Sequence, residues 1–240
     1  MLSCCHADLS DSPRPWPSGL TTHEPFYRFT VLPFLAAIMP ADIPDTSSTS
    51  NTPDSPEHCE HHAPIKHCKN CGAAVVYRIP DDGDAKQRAI CPSCQTVHYD
   101  NPLIVVGTLP VWGEQVLLCK RNIEPRRGRW TLPAGFMELS ETVMQGAARE
   151  TVEESGAQFE MGNFFSMVNV AKVGQVHLFY LAQLQSDRFE PGLETLEARL
   201  FAEDEIPWDE MAFRTVAQTL KCFFADRRAG QFVTHIIDID

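Results

Sequence analysis

The chain has 240 residues, 43% hydrophobic and 22% charged, which is enough for one well-buried core, a smaller satellite module and a tail. Its formal net charge of −12 argues against a protein whose main partner is a nucleic-acid backbone or an anionic membrane surface, since both are polyanions. A small anion bridged by divalent metal ions stays compatible, because bound cations invert the local field.

Residues 1–60 are rich in Ser, Thr, Pro and Asp, as in the run from Asp45 to Asp54, and show no sustained helical or strand period. Such composition cannot bury enough apolar surface to offset the entropy of ordering, so a disordered tail is expected there. Phe29 to Met39 is apolar but interrupted by Pro33, too short for a membrane span and without the basic start of a signal peptide. Either a gene start that truly lies at Met39 or a short docking segment accounts for it. A soluble, cytoplasmic protein with no membrane partner is expected.

The nine cysteines, Cys4, Cys5, Cys59, Cys68, Cys71, Cys91, Cys94, Cys119 and Cys222, are an odd number and make a poor disulfide framework. Cys68-x-x-Cys71 and Cys91-x-x-Cys94 instead have the two-knuckle spacing of a tetrahedral zinc site. The turn-rich stretch between them, with Asp81-Asp82-Gly83-Asp84, predicts a zinc ribbon of short hairpins over residues 66–102. Four thiolates leave no open coordination position, so the zinc is expected to be structural. His61, His62, His67 and His98 are then not needed as ligands.

Residues 103–236 are expected to form the main domain. Leu103 to Val111 and Val116 to Cys119, joined by Gly113-Glu114, predict a β-hairpin, and Phe164 to Val170 with Val176 to Leu184 predict a second. Between them Ser140 to Ser155 is the strongest helical stretch, with Ser140 as candidate N-cap, Glu141 in the first turn and Gly156 as the stop. Met144, Ala148, Thr151 and Ser155 form a stripe suited to packing on a sheet. A last helix is expected from about Met211 to Phe224. Strands interleaved with two helices predict a mixed α/β domain with the sheet between helical layers.

Glu150, Glu153 and Glu154 fall on one face of the first helix, since they are spaced i, i+3 and i+4. Three crowded carboxylates repel unless a cation sits among them, and hard oxygen ligands suit Mg²⁺ or Mn²⁺. A solvated acidic face is the commoner meaning of such a run. The surroundings of the run favour the metal: from Gly135 to Ala157 the sequence resembles the Nudix box, G-x5-E-x7-R-E-U-x-E-E-x-G-U with U a bulky apolar residue. Gly135, Glu141, Arg149, Glu150, Glu153, Glu154 and Gly156 match, while Thr151 and Ala157 depart at the two U positions.

This resemblance implies a Nudix α/β/α sandwich with a mixed sheet behind the ribbon. It also implies hydrolysis of a nucleoside diphosphate linked to another moiety, with Mg²⁺ or Mn²⁺ held by Glu150, Glu153, Glu154 and the Gly135 carbonyl. Glu141 and Arg149 would hold the loop and helix together, and the identity of the general base stays open. Arg121, Arg126 and Arg127 just before the box are candidate substrate-binding residues, although cations on a loop are often merely solvated. Leu117 to Pro125, Trp130 to Phe136 and Leu196 to Pro207 resemble the ribbon-bearing FAD/ADP-ribose pyrophosphatases of the plant chloroplast type and their bacterial relatives. The expected reaction is therefore cleavage of FAD or ADP-ribose to AMP plus FMN or ribose 5-phosphate. An NADH pyrophosphatase is the alternative, disfavoured because the Ser-Gln-Pro-Trp-Pro-Phe type segment of that group is absent after the box. A nucleotide-sensing regulator is the other rival. The expected partner is a small nucleotide with no nucleic acid, and a homodimer is left open.

Overall fold

The computed structural model describes residues 64–239. The expected tail, with Cys4, Cys5, Cys59 and the apolar stretch ending at Met39, lies outside the described residues. The first element is a three-stranded antiparallel sheet in the order β1 (Val76–Arg78), β2 (Arg88–Ile90), β3 (Val97–His98). One knuckle turn precedes β1 and a matching one joins β2 to β3. Gly72 N donates to Cys68 O and Gln95 N to Cys91 O, both at 2.9 Å. The fourth residue after each leading cysteine is left-handed, Gly72 at φ 76° and Gln95 at φ 59°. That backbone curls each knuckle so that both of its sulfurs face inward.

The larger domain is built on a mixed sheet whose main path runs β10 (Thr195–Phe201), β5 (Gln115–Arg121), β4 (Leu103–Trp112), β9 (Gln175–Leu184), β8 (Phe159–Val170), β11 (His235–Ile239). The pairs β4–β9 and β8–β11 are parallel, and the other neighbours are antiparallel. Both predicted hairpins are present, each longer than the apolar runs suggested. β4 and β5 pair only beside their turn and then splay. β6 (Trp130–Thr131) fills the gap along β5, and β7 (Ala134–Phe136) fills it along β4.

Neighbouring residues of β5 show how the layers form. Val116 and Leu118 enter a core that includes Phe165, Phe179, Phe201, Leu220, Phe223 and Phe224, while Leu117 joins Ala157 and Leu184 on the opposite face. This is the two-residue alternation of a strand buried on both sides. Helix α1 (Val143–Ser155) covers one face and α2 (Arg214–Ala229) the other, giving the expected α/β/α sandwich.

Both helices start later than the sequence suggested. Thr142, not Ser140, is the N-cap of α1: its hydroxyl accepts from Gln145 N at 3.2 Å while the Gln145 side chain accepts from Thr142 N at 2.8 Å. Ser140 is left-handed at φ 71° and Glu141 lies ahead of the helix. The second helix is shifted to 214–229 because Trp208–Glu210 forms a separate 3-10 turn before it. The buried stripe of α1 is also corrected. Gly146, Ala147, Thr151 and Ser155 pack inward, whereas Met144 is exposed. Gly146 faces Val106 so closely that an added Cβ would lie 2.8 Å from its methyl, so only a residue without a side chain brings α1 this near β4. Among the described residues no helix is long and apolar enough to cross a membrane.

Candidate active site

The site lies where β7 meets α1. Thr108 of β4 and Thr151 of α1 share a buried hydroxyl contact of 2.7 Å, and Thr151 also donates to Ala147 O, which fixes the helix against the sheet. Gly156 is left-handed at φ 64° and ends the helix as expected. On this frame the three glutamates are not equivalent. Glu154 is 7% exposed and accepts from Ala134 N at 3.1 Å. Glu150 packs on Gly135, where an added Cβ would lie 2.4 Å from its carboxylate. The Glu153 side chain is 59% exposed.

Arg149 connects the cluster to the preceding loop. Its guanidinium donates to both oxygens of Glu141 at 3.0 and 2.9 Å, to Phe136 O at 3.1 Å, to Glu150 at 2.7 Å and to Glu153 at 3.1 Å. Glu141 also accepts from Glu138 N at 2.7 Å. The Arg149 guanidinium, helped by that amide, holds the Glu141 carboxyl down at about 2. Burial pushes Glu150 up against the pull of Arg149, and pushes Glu154 up to about 8 against the Ala134 amide, with Glu150 and Glu194 adding negative charge.

Glu194 had no signal in the sequence. It sits just before β10, outside the box, in a segment held on the C-terminus of α1: Glu190 N donates to Ser155 O at 2.9 Å and Gly192 N to Glu154 O at 3.4 Å. The only available sign would have been an acidic residue entering a strand beside the helix, and sequence spacing cannot show such tertiary proximity. Of the three candidate arginines, Arg121 is the one whose charge draws Glu154 downward. It also donates to Pro125 O at 3.0 Å and lies over the Phe213 ring at 5.1 Å. Arg126 and Arg127 are exposed on the loop between β5 and β6, where Arg127 donates to Asn122 Oδ1 at 3.1 Å.

Two metal sites can be tested against these donors. The sulfurs of Cys68, Cys71, Cys91 and Cys94 lie within 4.8 Å of one another, with Cys68–Cys94 at 3.6 Å and Cys71–Cys91 at 3.5 Å. Zinc–sulfur bonds of about 2.3 Å in a tetrahedron put sulfurs about 3.8 Å apart, so the set fits zinc. The Thr96 hydroxyl and amide draw Cys94 down to about 5, toward the thiolate that binds metal. His98 Nε2 lies 3.3 Å from Cys68 Sγ and sits outside the four-sulfur set. Among the described residues no group of carboxylates gathers three ligand atoms as tightly. The donors available on α1 are carboxylate oxygens, the hard ligand type that Mg²⁺ or Mn²⁺ takes from one or two side chains alongside water and phosphate oxygens. A cation bound there would stabilise the ionised form of Glu154 that burial disfavours.

The NUDIX domain family matches residues 102–221, half of the chain, and the Nudix N-terminal zinc-ribbon family matches residues 66–100. The chain belongs to the Nudix family. A crystal structure of a NUDIX hydrolase from Nitrosomonas europaea is similar at 48% identity and a TM-score of 0.69, covering 73% of this chain and all of that one. The NAD-capped RNA hydrolase NudC of Photobacterium profundum is 31% identical over 138 residues, 57% of this chain and 49% of that protein. The NudC of Vibrio vulnificus is 31% identical over 120 residues, 49% of this chain and 45% of that protein. This Nudix chain therefore spans about half the length of the curated relatives it matches.

Proposed function

We propose that this chain is a divalent-metal-dependent pyrophosphatase acting on dinucleotides that contain an AMP half, with NADH as first substrate and AMP plus NMNH as products. The observation that carries the reading is Glu154, a buried carboxyl on the same helix face as Glu150, bonded to the Ala134 amide of β7. Water adds to one phosphorus, the bridging P–O bond breaks, and the released oxygen leaves as the second phosphate monoester. Glu154, Glu150 and Glu194, with the Gly135 carbonyl, would hold Mg²⁺ or Mn²⁺. When bound, that ion offsets charge developing on the pyrophosphate. Glu153 is open to solvent and is suited to accept a proton from the attacking water. Glu141 and Arg149 hold the loop and helix in register, and Arg121 supplies positive charge at the substrate side. In the ribbon, Cys68, Cys71, Cys91 and Cys94 would hold zinc without taking part in bond cleavage.

NADH is placed before FAD and ADP-ribose because the curated relatives are NudC proteins, which reverses the preference drawn from the sequence alone. Their name also bears on the expectation of no nucleic-acid partner, since an NAD-capped RNA contains the same AMP-linked pyrophosphate. FAD and ADP-ribose remain the second reading, favoured by the missing Ser-Gln-Pro-Trp-Pro-Phe type segment after the box. The test is product analysis with NADH, FAD, ADP-ribose and an NAD-capped RNA, each with Mg²⁺ or Mn²⁺. Release of AMP or its RNA equivalent together with NMN or NMNH at the highest kcat/KM supports the reading. Metal-independent hydrolysis, or no pyrophosphate cleavage of any of the four, overturns it.

A further inference from the structure

The ribbon cysteines differ in what holds their sulfurs. Cys91 and Cys94 have donors inside the second knuckle, where Cys94 N lies 3.5 Å from Cys91 Sγ and the Thr96 hydroxyl 3.1 Å from Cys94 Sγ. Cys68 has one donor in its own knuckle, Asn70 N at 3.3 Å, and a second from far along the chain, His98 Nε2, also at 3.3 Å. Both Cys68 and His98 are buried, so water does not replace this contact. His98 lies in β3, paired with Ala89 of β2, on the strand that leaves the second knuckle and runs on toward β4 at Leu103. The ring therefore ties the first knuckle to the segment that enters the larger domain. Four thiolates around one Zn²⁺ leave two negative charges, and burying them is costly unless N–H and O–H groups share the charge. A sulfur that binds zinc carries no proton, so at this contact the imidazole N–H donates and the thiolate accepts.

We propose that His98 is a positioning residue for the ribbon zinc: its Nε2–H bonds the buried Cys68 thiolate and tightens zinc binding by closing the first knuckle onto β3, without itself being a ligand. This rests on the reading of the four sulfurs as zinc ligands. His98 stands outside the set whose ligand atoms gather within 4.8 Å of one another. A donor role and a packing role predict opposite tolerances to substitution. His98→Gln puts an amide N–H where Nε2 stood, whereas His98→Phe keeps the bulk of a ring and removes the donor.

The experiment takes the full chain, measures zinc affinity by equilibrium competition against a chromophoric chelator, and then records the absorption spectrum with Co²⁺ in place of zinc. Wild type, His98→Gln and His98→Phe are compared, with thermal melts confirming that each is folded; His98→Leu replaces His98→Phe if that variant does not fold. His98→Phe is expected to weaken zinc by about 10- to 100-fold, the usual cost of removing a hydrogen-bond partner from a metal ligand. His98→Gln should stay close to wild type. The thiolate-to-cobalt charge-transfer band of His98→Phe should move to lower energy, because a thiolate without its N–H partner gives up an electron more readily. Its d–d bands should keep the four-sulfur pattern. If His98→Phe binds zinc as tightly as wild type, or His98→Gln as weakly as His98→Phe, the donor role is overturned while the four-sulfur reading stands. Altered d–d bands in His98→Phe would make His98 a ligand and overturn it as well. A wild-type chain that takes up no zinc removes the ribbon reading itself, and this inference with it.

Discussion

Replacing Glu154 with Gln tests the site most directly, because the same group governs metal binding and stability with opposite signs. In the metal-free protein burial lifts this carboxyl from 4.5 to about 8. Between those values the folded state holds a proton that the unfolded state has lost, so this group makes stability fall as pH rises, and the penalty is complete above about 8. At about 1.4 kcal/mol per tenfold the penalty is at most a few kcal/mol. Glutamine keeps an oxygen for the Ala134 amide and carries no charge. In zinc-replete, magnesium-free buffer at pH 8.5, Glu154→Gln should therefore melt roughly 5–10 °C above wild type, at about 2–4 °C per kcal/mol. Near pH 4.5 the difference should vanish. Adding Mg²⁺ should raise the wild-type midpoint by mass action and leave the variant nearly unmoved. Turnover of the variant should fall by about 10² to 10³-fold or more, as when an electrostatic contact to the transition state is lost. Melts followed by fluorescence of the buried Trp130 would refute the reasoning if the variant tracked wild type from pH 4.5 to 8.5, or gained as much from Mg²⁺.

Three further outcomes are expected. Cys91→Ser should lower the zinc content from one per chain and destabilise the ribbon, as read by metal analysis and by proteolysis within residues 66–100; a full zinc complement in the variant would show that the sulfurs are not the ligands. Arg149→Ala removes the ties to Glu141, Phe136 and Glu150 and leaves like charges facing one another, so stability should drop by about 2–4 kcal/mol together with activity, and an unchanged melting midpoint would count against its anchoring role. His177 is buried beside Phe179 and burial holds its imidazole down at about 4, so its contribution is complete above 6.5 and lost as pH falls from 6.5 toward 4. His177→Leu should flatten that part of the stability profile, and an unaltered slope in denaturant titrations would exclude it as the source.

The parts of the molecule legible in the sequence are those whose signal is local. The knuckle spacing, the hairpins and Gly156 each depend on residues within a few positions, and each was found. Ser140 looks like a cap in the sequence because two hydroxyl residues stand close together, Ser140 and Thr142. The choice of Thr142 depends on Gln145 reaching back to complete the reciprocal bond. β6 and β7 are too short to carry a period. They exist because β4 and β5 splay and leave unpaired edges that the intervening chain satisfies. β11 follows a helix and pairs in parallel with β8, a long-range arrangement with no turn to announce it.

The carboxylates illustrate what helical spacing alone does not distinguish. The i, i+3, i+4 pattern places Glu150, Glu153 and Glu154 on one face, yet a helix face against a sheet has a buried edge and an open edge. Glu154 faces β7 and Cys119, Glu153 faces water, and Arg149 occupies the space between Glu150 and Glu153. The helix therefore offers a metal fewer free carboxylates than its sequence suggests. The segment that leads to Glu194 satisfies two of the last carbonyls of the same helix, those of Ser155 and Glu154. The close of α1 against this segment also constrains Gly156 and Gly192, because a Cβ on either would strike the backbone across that junction.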